Sequence, residues 1–188
     1  MIKQPLYIIS GCSWVGKNVV WEQIEKTPWI KAKKVMTFTT REKRIHENHA
    51  SEYHFISKEE FNKKIDSWEM LEWTVTNSAL YWSTNDELEK IISHWLIPVY
   101  IIDVKWHNSI REKLWEKFDI TSVFILPPSF EILEERLEAR WTESDERMLV
   151  RLQTAKEELE HIAEYDYFVI NNEIEQCAKE IIDILKLK

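Results

Sequence analysis

Leu6-Tyr7-Ile8-Ile9-Ser10-Gly11-Cys12-Ser13-Trp14-Val15-Gly16-Lys17-Asn18 is the stretch that decides the fold class. Its first five residues form a short, mostly apolar run that ends at a glycine, the pattern of a buried strand. Gly11 to Asn18 nearly match G-x-x-x-x-G-K-[ST], and a helical stretch from Asn18 to about Lys26 follows. Strand, glycine-bounded loop, lysine and helix in that order are the context a phosphate-binding loop requires. Backbone N–H groups of such a loop converge on phosphate oxygens, and the helix N-terminus adds favourable partial charge. Lys17 would reach the β- and γ-phosphates of a nucleotide. Asn18 stands where a Ser or Thr usually touches Mg²⁺. A tight strand-to-helix turn with an incidental lysine is the plainer reading, and the flanking elements weigh against it.

Outward from this loop, Lys33 to Thr40 reads as one strand and Tyr53-His54-Phe55-Ile56 as another. Ser57 and Glu60 have capping-box spacing, so a helix is expected to begin there. Ile97 to Val104 and Ser122 to Leu126 are further buried-strand candidates, each followed by a helical segment at about 107–117 and 129–139. Ser144 to Ala163 reads as a long charged helix with a solvent face, Tyr167 to Ile170 as a last strand and Glu173 to Leu185 as a last helix. Buried strands alternating with helices predict an α/β fold: a parallel central sheet flanked by helices in three layers.

The 188 residues suit one domain with its own core. A net charge of −8 argues against a broad nucleic-acid surface. No apolar run approaches 18 residues and no charged-then-apolar leader is present, so neither membrane spanning nor secretion is expected. Two cysteines, Cys12 and Cys177, are too few for a disulfide framework and point to a reducing cytoplasm. His46 and His49 form an H-x-x-H pair in a loop with no third ligand and read as solvated.

Further motifs narrow the substrate. Thr39-Thr40-Arg41-Glu42-Lys43-Arg44-Ile45-His46-Glu47, then Glu52-Tyr53-His54-Phe55, resemble the guanylate kinase signature T-T-R-x-x-R-x-G-E…D-Y-x-F. Leu71-Glu72-Trp73, Leu80-Tyr81-Trp82-Ser83, Ile102-Asp103-Val104-Lys105-Trp106, Arg140-Trp141-Thr142-Glu143-Ser144 and Tyr165-Asp166-Tyr167…Asn171 resemble later motifs of that family, in order and at its spacings. The resemblance implies a P-loop NTPase fold with an inserted acceptor-binding subdomain (37–92) and a helical lid (134–152). It implies transfer of the γ-phosphoryl group of ATP to GMP, with Mg²⁺ carried by the ATP phosphates. Oligomeric state is not implied.

The chemistry suits these residue types. A dianionic phosphate is held bidentately by planar Arg forks, here Arg41 and Arg44, with the Tyr53 and Tyr81 hydroxyls as further donors. Guanine presents N1–H and N2–H₂ on one edge, which a carboxylate accepts; Glu72 is the choice, with Thr37 and Ser83 donating to O6. By resemblance Asp103 and Glu47 join the GMP site, and Arg136, Arg140 and Arg151 are phosphate-contacting lid residues. Asn171 then lies near the adenine, and Gly11 to Val19 form the ATP loop. Arg147 has no match and reads as a solvated charge. Surface ion pairs for the arginines and core packing for the tyrosines are the plainer readings one at a time; their shared order favours the site. An impaired guanylate-kinase-like interaction module is the alternative, and Lys17 with the Arg41/Arg44 pair weighs against it. A P-loop kinase for another acceptor is opposed by Glu72 and Ser83.

One total is abnormal. The chain has 2 Gly and 10 Trp, whereas average usage would give roughly 13 Gly. Trp14, Trp82, Trp106 and Trp141 stand where the motifs carry glycine. Trp68 and Trp95 precede strand-like segments where the family often has glycine, Trp21, Trp29 and Trp115 lie at less constrained positions that could also accept it, and Trp73 alone falls where the family commonly has Trp. The expectation is that the nine other than Trp73 arise from UGA codons, which some bacterial lineages read as glycine and a common alternative table reads as tryptophan; a Trp-rich divergent protein is the plainer reading, and the coincidence with glycine positions of four motifs weighs against it.

Overall fold

The apolar run at the N-terminus forms a strand, Gln4–Gly11 (β1), and sits at the centre of a five-stranded sheet. The computed structural model describes residues 3–43, 53–66, 70–76, 79–138 and 145–186. β1 lies between β7 (Ile97–Ile101) and β8 (Phe118–Leu126), with β2 (Ala32–Lys34) beyond β7 and β9 (Tyr167–Ile170) beyond β8. All four neighbouring pairs are parallel. Side chains alternate along β1: Tyr7 and Ile9 pack with α1 (Lys17–Glu25) and α7 (Ile174–Lys186), whereas Leu6 and Ile8 pack with α3 (Asn85–Ser93) and α4 (Val104–Leu114). Both faces of the sheet are therefore covered, as parallel pairing demands. No helix among the described residues is long and apolar enough to cross a membrane.

A second sheet of four strands has the order β4 (Tyr53–Phe55), β3 (Thr37–Thr39), β6 (Ala79–Thr84), β5 (Met70–Thr76). β3 and β4 run parallel; the other two pairs are antiparallel. The single strand expected over Lys33 to Thr40 is thus two, one in each sheet. Val35 still donates its N–H to Val99 O at 2.8 Å and is buried, and the chain crosses to the second sheet at Met36. β7 is also shorter than the expected Ile97 to Val104. The Asp103 carboxylate accepts the Trp106 N–H at 3.1 Å, capping α4 and starting that helix at Val104. β8 is longer than the expected Ser122 to Leu126, because its first residues pair in register with Gln4 to Tyr7.

The Ser57 box forms as spaced. Ser57 N–H donates to Glu60 Oε2 at 2.9 Å and Glu60 N–H to Ser57 Oγ at 3.1 Å, opening α2 (Lys58–Asp66). The charged stretch forms α6 (Asp145–Glu160) and closes in a 3₁₀ turn, His161–Glu164; α5 (Phe130–Glu138) precedes it.

α3 ends in a Schellman arrangement. Leu96 N–H donates to Ile91 O at 3.2 Å and Trp95 N–H to Ile92 O at 2.9 Å. Trp95 occupies the left-handed position, with φ 58, where glycine is the usual residue. Its side chain is 88% exposed, so the indole gains little burial to offset the backbone cost. Trp95→Gly should raise unfolding free energy by about 1 kcal/mol, seen as a higher urea midpoint. Trp95→Ala keeps a Cβ and should gain no comparable amount; equal gains would assign the effect to losing the indole.

Candidate active site

The loop leaving β1 is shaped by two glycines in backbone conformations that disfavour a side chain, one of them packed against a neighbouring strand. At Gly11 (φ 148) an added Cβ would lie 2.5 Å from the carbonyl oxygen of Ile125. At Gly16 (φ 98), the residue before α1, it would meet Asn171 Nδ2 at 2.9 Å. That amide supports the loop from behind by donating to Val15 O at 2.7 Å, while Asn171 N–H donates to Leu126 O at 2.8 Å. Arg136 reaches the same place, donating to Asn171 O at 3.2 Å. Cys12 and Val15 bury their side chains in the core, so only their backbone is offered to a ligand. Burial pushes the Cys12 thiol up to about 11, against the opposing pull of Lys17. That thiol is therefore a passive core group rather than an oxidation-sensitive one.

Lys17 spans the loop mouth, its Nζ donating to Gly11 O at 2.6 Å and Cys12 O at 3.1 Å. Val15 N–H donates to Cys12 O at 3.3 Å, closing a turn whose third residue, Trp14, has φ 69. Positive φ at that one position is the type II pattern, which normally carries glycine. The Trp14 indole lies under the Arg151 guanidinium, 5.6 Å from its carbon to the ring centroid.

A cleft of about 240 Å³ opens in front of the loop. Ser13, Trp14, Gly16, Lys17, Asn18 and Val19 contribute from the loop, Tyr53 and Tyr81 from the second sheet, Asp103 from the end of β7 and Arg151 from α6. The fold thus gathers residues more than a hundred positions apart at one opening. The Tyr53 and Tyr81 rings meet edge to face at 5.8 Å, and the Arg41 guanidinium lies over Tyr53 and Phe55 at 5.7 and 5.4 Å. Arg41 also donates to Glu42 O at 2.8 Å.

Behind the tyrosines, Thr37 and Ser83 are 2% and 0% exposed, and neither hydroxyl has a hydrogen-bond partner among the described residues. β3 and β6 pair Phe38 with Trp82 and Thr39 with Tyr81, and Ser83 pairs with Glu72 across β6 and β5. One further step in that register sets Thr37 opposite Ser83, so Thr37, Ser83 and Glu72 occupy one row across three strands. The Glu72 side chain lies outside the described residues, as do Arg44, His46, Glu47, His49, Arg140, Trp141 and the Arg147 side chain.

Glu158 was not singled out by sequence, because α6 reads as a solvent-facing charged helix. It is 6% exposed and accepts the Ser13 N–H at 2.9 Å. The signal was present: buried Leu152 and Ala155 and half-buried Leu159 mark an apolar stripe at helical spacing, and Glu158 falls three residues after Ala155. Among the described residues no group of three His, Cys, Asp or Glu side chains is placed to hold a metal ion.

The sequence profile of the guanylate kinase family matches residues 3–188. A guanylate kinase of Malacoplasma penetrans is 33% identical over 97% of this chain and 93% of its own length. One of Mycoplasmopsis pulmonis is 34% identical over 99% of this chain and 96% of its own. The crystal structure of guanylate kinase from Anaplasma phagocytophilum superposes with a TM-score of 0.79 at 25% identity, covering 98% of this chain and 86% of that one. With the loop, the two tyrosines and the parallel sheet already in place, the match over nearly the whole length settles the lineage: this chain belongs to the guanylate kinase family.

Proposed function

We propose that the chain transfers the γ-phosphoryl group of ATP to GMP in the cleft between the loop and the second sheet, giving ADP and GDP. The observation that carries this reading is the pair of buried hydroxyls, Thr37 and Ser83, which have no hydrogen-bond partner among the described residues and lie in the same row as Glu72. Buried polar groups nearly always have partners, and those that lack one invite a ligand. Guanine offers O6 to two hydroxyls and N1–H with N2–H₂ to a carboxylate. A site built on such pairs rejects an analogue that leaves them unpaired by about 10⁴-fold.

The acceptor phosphate enters between Arg41, Arg44, Tyr53 and Tyr81, with Glu47 and Asp103 completing the GMP side. Its attacking oxygen is already deprotonated at neutral pH, so no general base is needed. Alignment and neutralisation of charge carry the rate. Lys17 exchanges its two carbonyl partners for the β- and γ-phosphate oxygens, and the loop N–H groups hold the β-phosphate. Arg136, Arg140 and Arg151 add charge from the lid, and Asn171 borders the adenine side. Residues 37–92 act as the GMP-binding subdomain and 134–152 as the lid; their closure excludes water, the competing acceptor.

Mg²⁺ bound to the ATP phosphates supplies further neutralisation of the transferring charge. The donors beside the loop, the Asn18 amide and the Asp103 carboxylate, are hard oxygens that fit an ion keeping most of its shell as water and phosphate. Two free, buried cysteines are in keeping with a reducing cytoplasm.

A coupled ADP-release assay should show turnover with GMP and none with AMP or CMP; turnover with AMP alone would overturn the reading. Glu72→Gln should lower kcat/KM for GMP by about 100-fold or more while KM for ATP stays within about twofold. Tyr81→Phe should raise KM for GMP by about tenfold, as expected for losing a hydrogen bond to a charged group. The folded protein should resist alkylation at pH 8, because Cys12 and Cys177 keep their protons to about 11 and about 12. Both should react once urea unfolds the chain, as mass spectrometry would show.

A further inference from the structure

Among the described residues, the non-glycine residues with positive φ are Trp14 (69) and Trp95 (58), and both are tryptophans. Trp14 is the third residue of the turn closed by Val15 N–H and Cys12 O, and Trp95 is the left-handed residue of the helix end at Ile91 and Ile92. Each is a place where only glycine adopts the backbone without steric cost. Three further tryptophans, Trp21, Trp82 and Trp106, are at most 3% exposed, and their indole N–H groups have no partner among the described residues. A buried indole N–H normally finds one. Trp82 does pack well, stacked on Phe38 at 5.0 Å and edge-on to Phe61 at 4.9 Å, so the backbone at 14 and 95 is the decisive observation.

We infer that the gene's own cell reads the codons for Trp14 and Trp95 as glycine. By the same codon, residues 21, 29, 68, 82, 106, 115 and 141 are glycine too, and Trp73 remains tryptophan. The consequence reaches the cleft. With glycine at 14, the ring under Arg151 is gone, the guanidinium is released from its aromatic seat, and the loop backbone is open to phosphate.

The gene sequence and the protein isolated from its natural host test this without reference to activity. UGA is expected at the nine positions and UGG at Trp73, and the tryptic peptide ending at Lys17 should have the mass of a glycine at 14. UGG at 14 or 95, or a peptide of full tryptophan mass, overturns the inference. Trp14→Gly should also raise kcat/KM for ATP by about tenfold or more, the loss of roughly 1.4 kcal/mol of steric cost in the loop; no gain overturns the claim that the indole obstructs the cleft.

A second inference rests on a different contact and on the reading of the loop as the ATP site. Glu158 Oε2 accepts the Ser13 N–H from a nearly dry position, and burial pushes its carboxyl up while Lys17 and the Ser13 amide pull it down. Arg151 lies seven residues earlier on α6, two turns away on the same face, and lines the cleft. We propose that Glu158 is a positioning residue that pins α6 to the phosphate loop, setting where Arg151 meets the nucleotide.

Calorimetric Kd values for ATP, measured on the Trp14→Gly protein, separate this from the transfer reaction. Glu158→Ala should weaken ATP by about tenfold, the usual worth of a hydrogen bond to a charged group, and leave GMP affinity within about twofold. Glu158→Gln keeps an acceptor oxygen and should recover most of the loss. Unchanged ATP affinity in the alanine variant, equal weakening of ATP and GMP, or a glutamine variant no better than alanine overturns the role. Absence of ATP binding in the parent overturns the loop reading and this role with it, whereas ATP binding without GMP turnover overturns only the proposed reaction.

Discussion

Where β1 ends, the Gly11 backbone passes so near Ile125 that a Cβ there would stand 2.5 Å from a carbonyl oxygen. A side chain at that point would force β1 and β8 apart or turn the chain elsewhere. Because Gly11 has none, the loop leaves the sheet directly above the C-terminal ends of the parallel strands. In open α/β sheets that edge is where ligands bind. Asp103 arrives there from β7 and Asn171 from β9, so the sheet's order of strands, not their nearness in sequence, assembles the opening. Asn171 then locks the arrangement, tying the far end of the loop at Val15 to the last strand.

The second sheet supplies the other half of the cleft and is held to the core by Leu71 and Tyr81, which pack against the α3 and α4 cluster, and by Lys113 donating to Leu71 O at 3.1 Å. The chain passes from one sheet to the other through Val35 and Met36, with Val35 still bonded to Val99. Within it, Trp82 lies between Phe38 and Phe61, and the Tyr53 and Tyr81 rings meet beside them. Aromatic packing thus holds Tyr53 and Tyr81 at the wall of the cleft while the backbone register lines up Thr37, Ser83 and Glu72.

Legibility in the sequence followed the length and strength of each pattern. β1, the loop, α1, β9 and α7 were readable, because short apolar runs bounded by turn residues, paired glycines and a sustained helical period each have few alternatives. Ser57 and Glu60 announced α2 through four residues alone. The split of Lys33 to Thr40 was not readable: both halves are β-branched and apolar enough for strand, and what divides them is which sheet each pairs with. On the site side, Lys17, Tyr53, Tyr81, Asp103 and Arg151 were named from motifs and meet in one cleft. Glu158 was hidden by its own helix, whose exposed charges drown a short apolar stripe.

The dry hydroxyls of Thr37 and Ser83 carry a cost in the protein without ligand. Neither has a hydrogen-bond partner among the described residues, and a buried hydroxyl left so costs about 1–3 kcal/mol. A valine and an alanine in their places would make the fold sturdier. A ligand that bonded both hydroxyls would offset that cost and raise the temperature at which the protein unfolds.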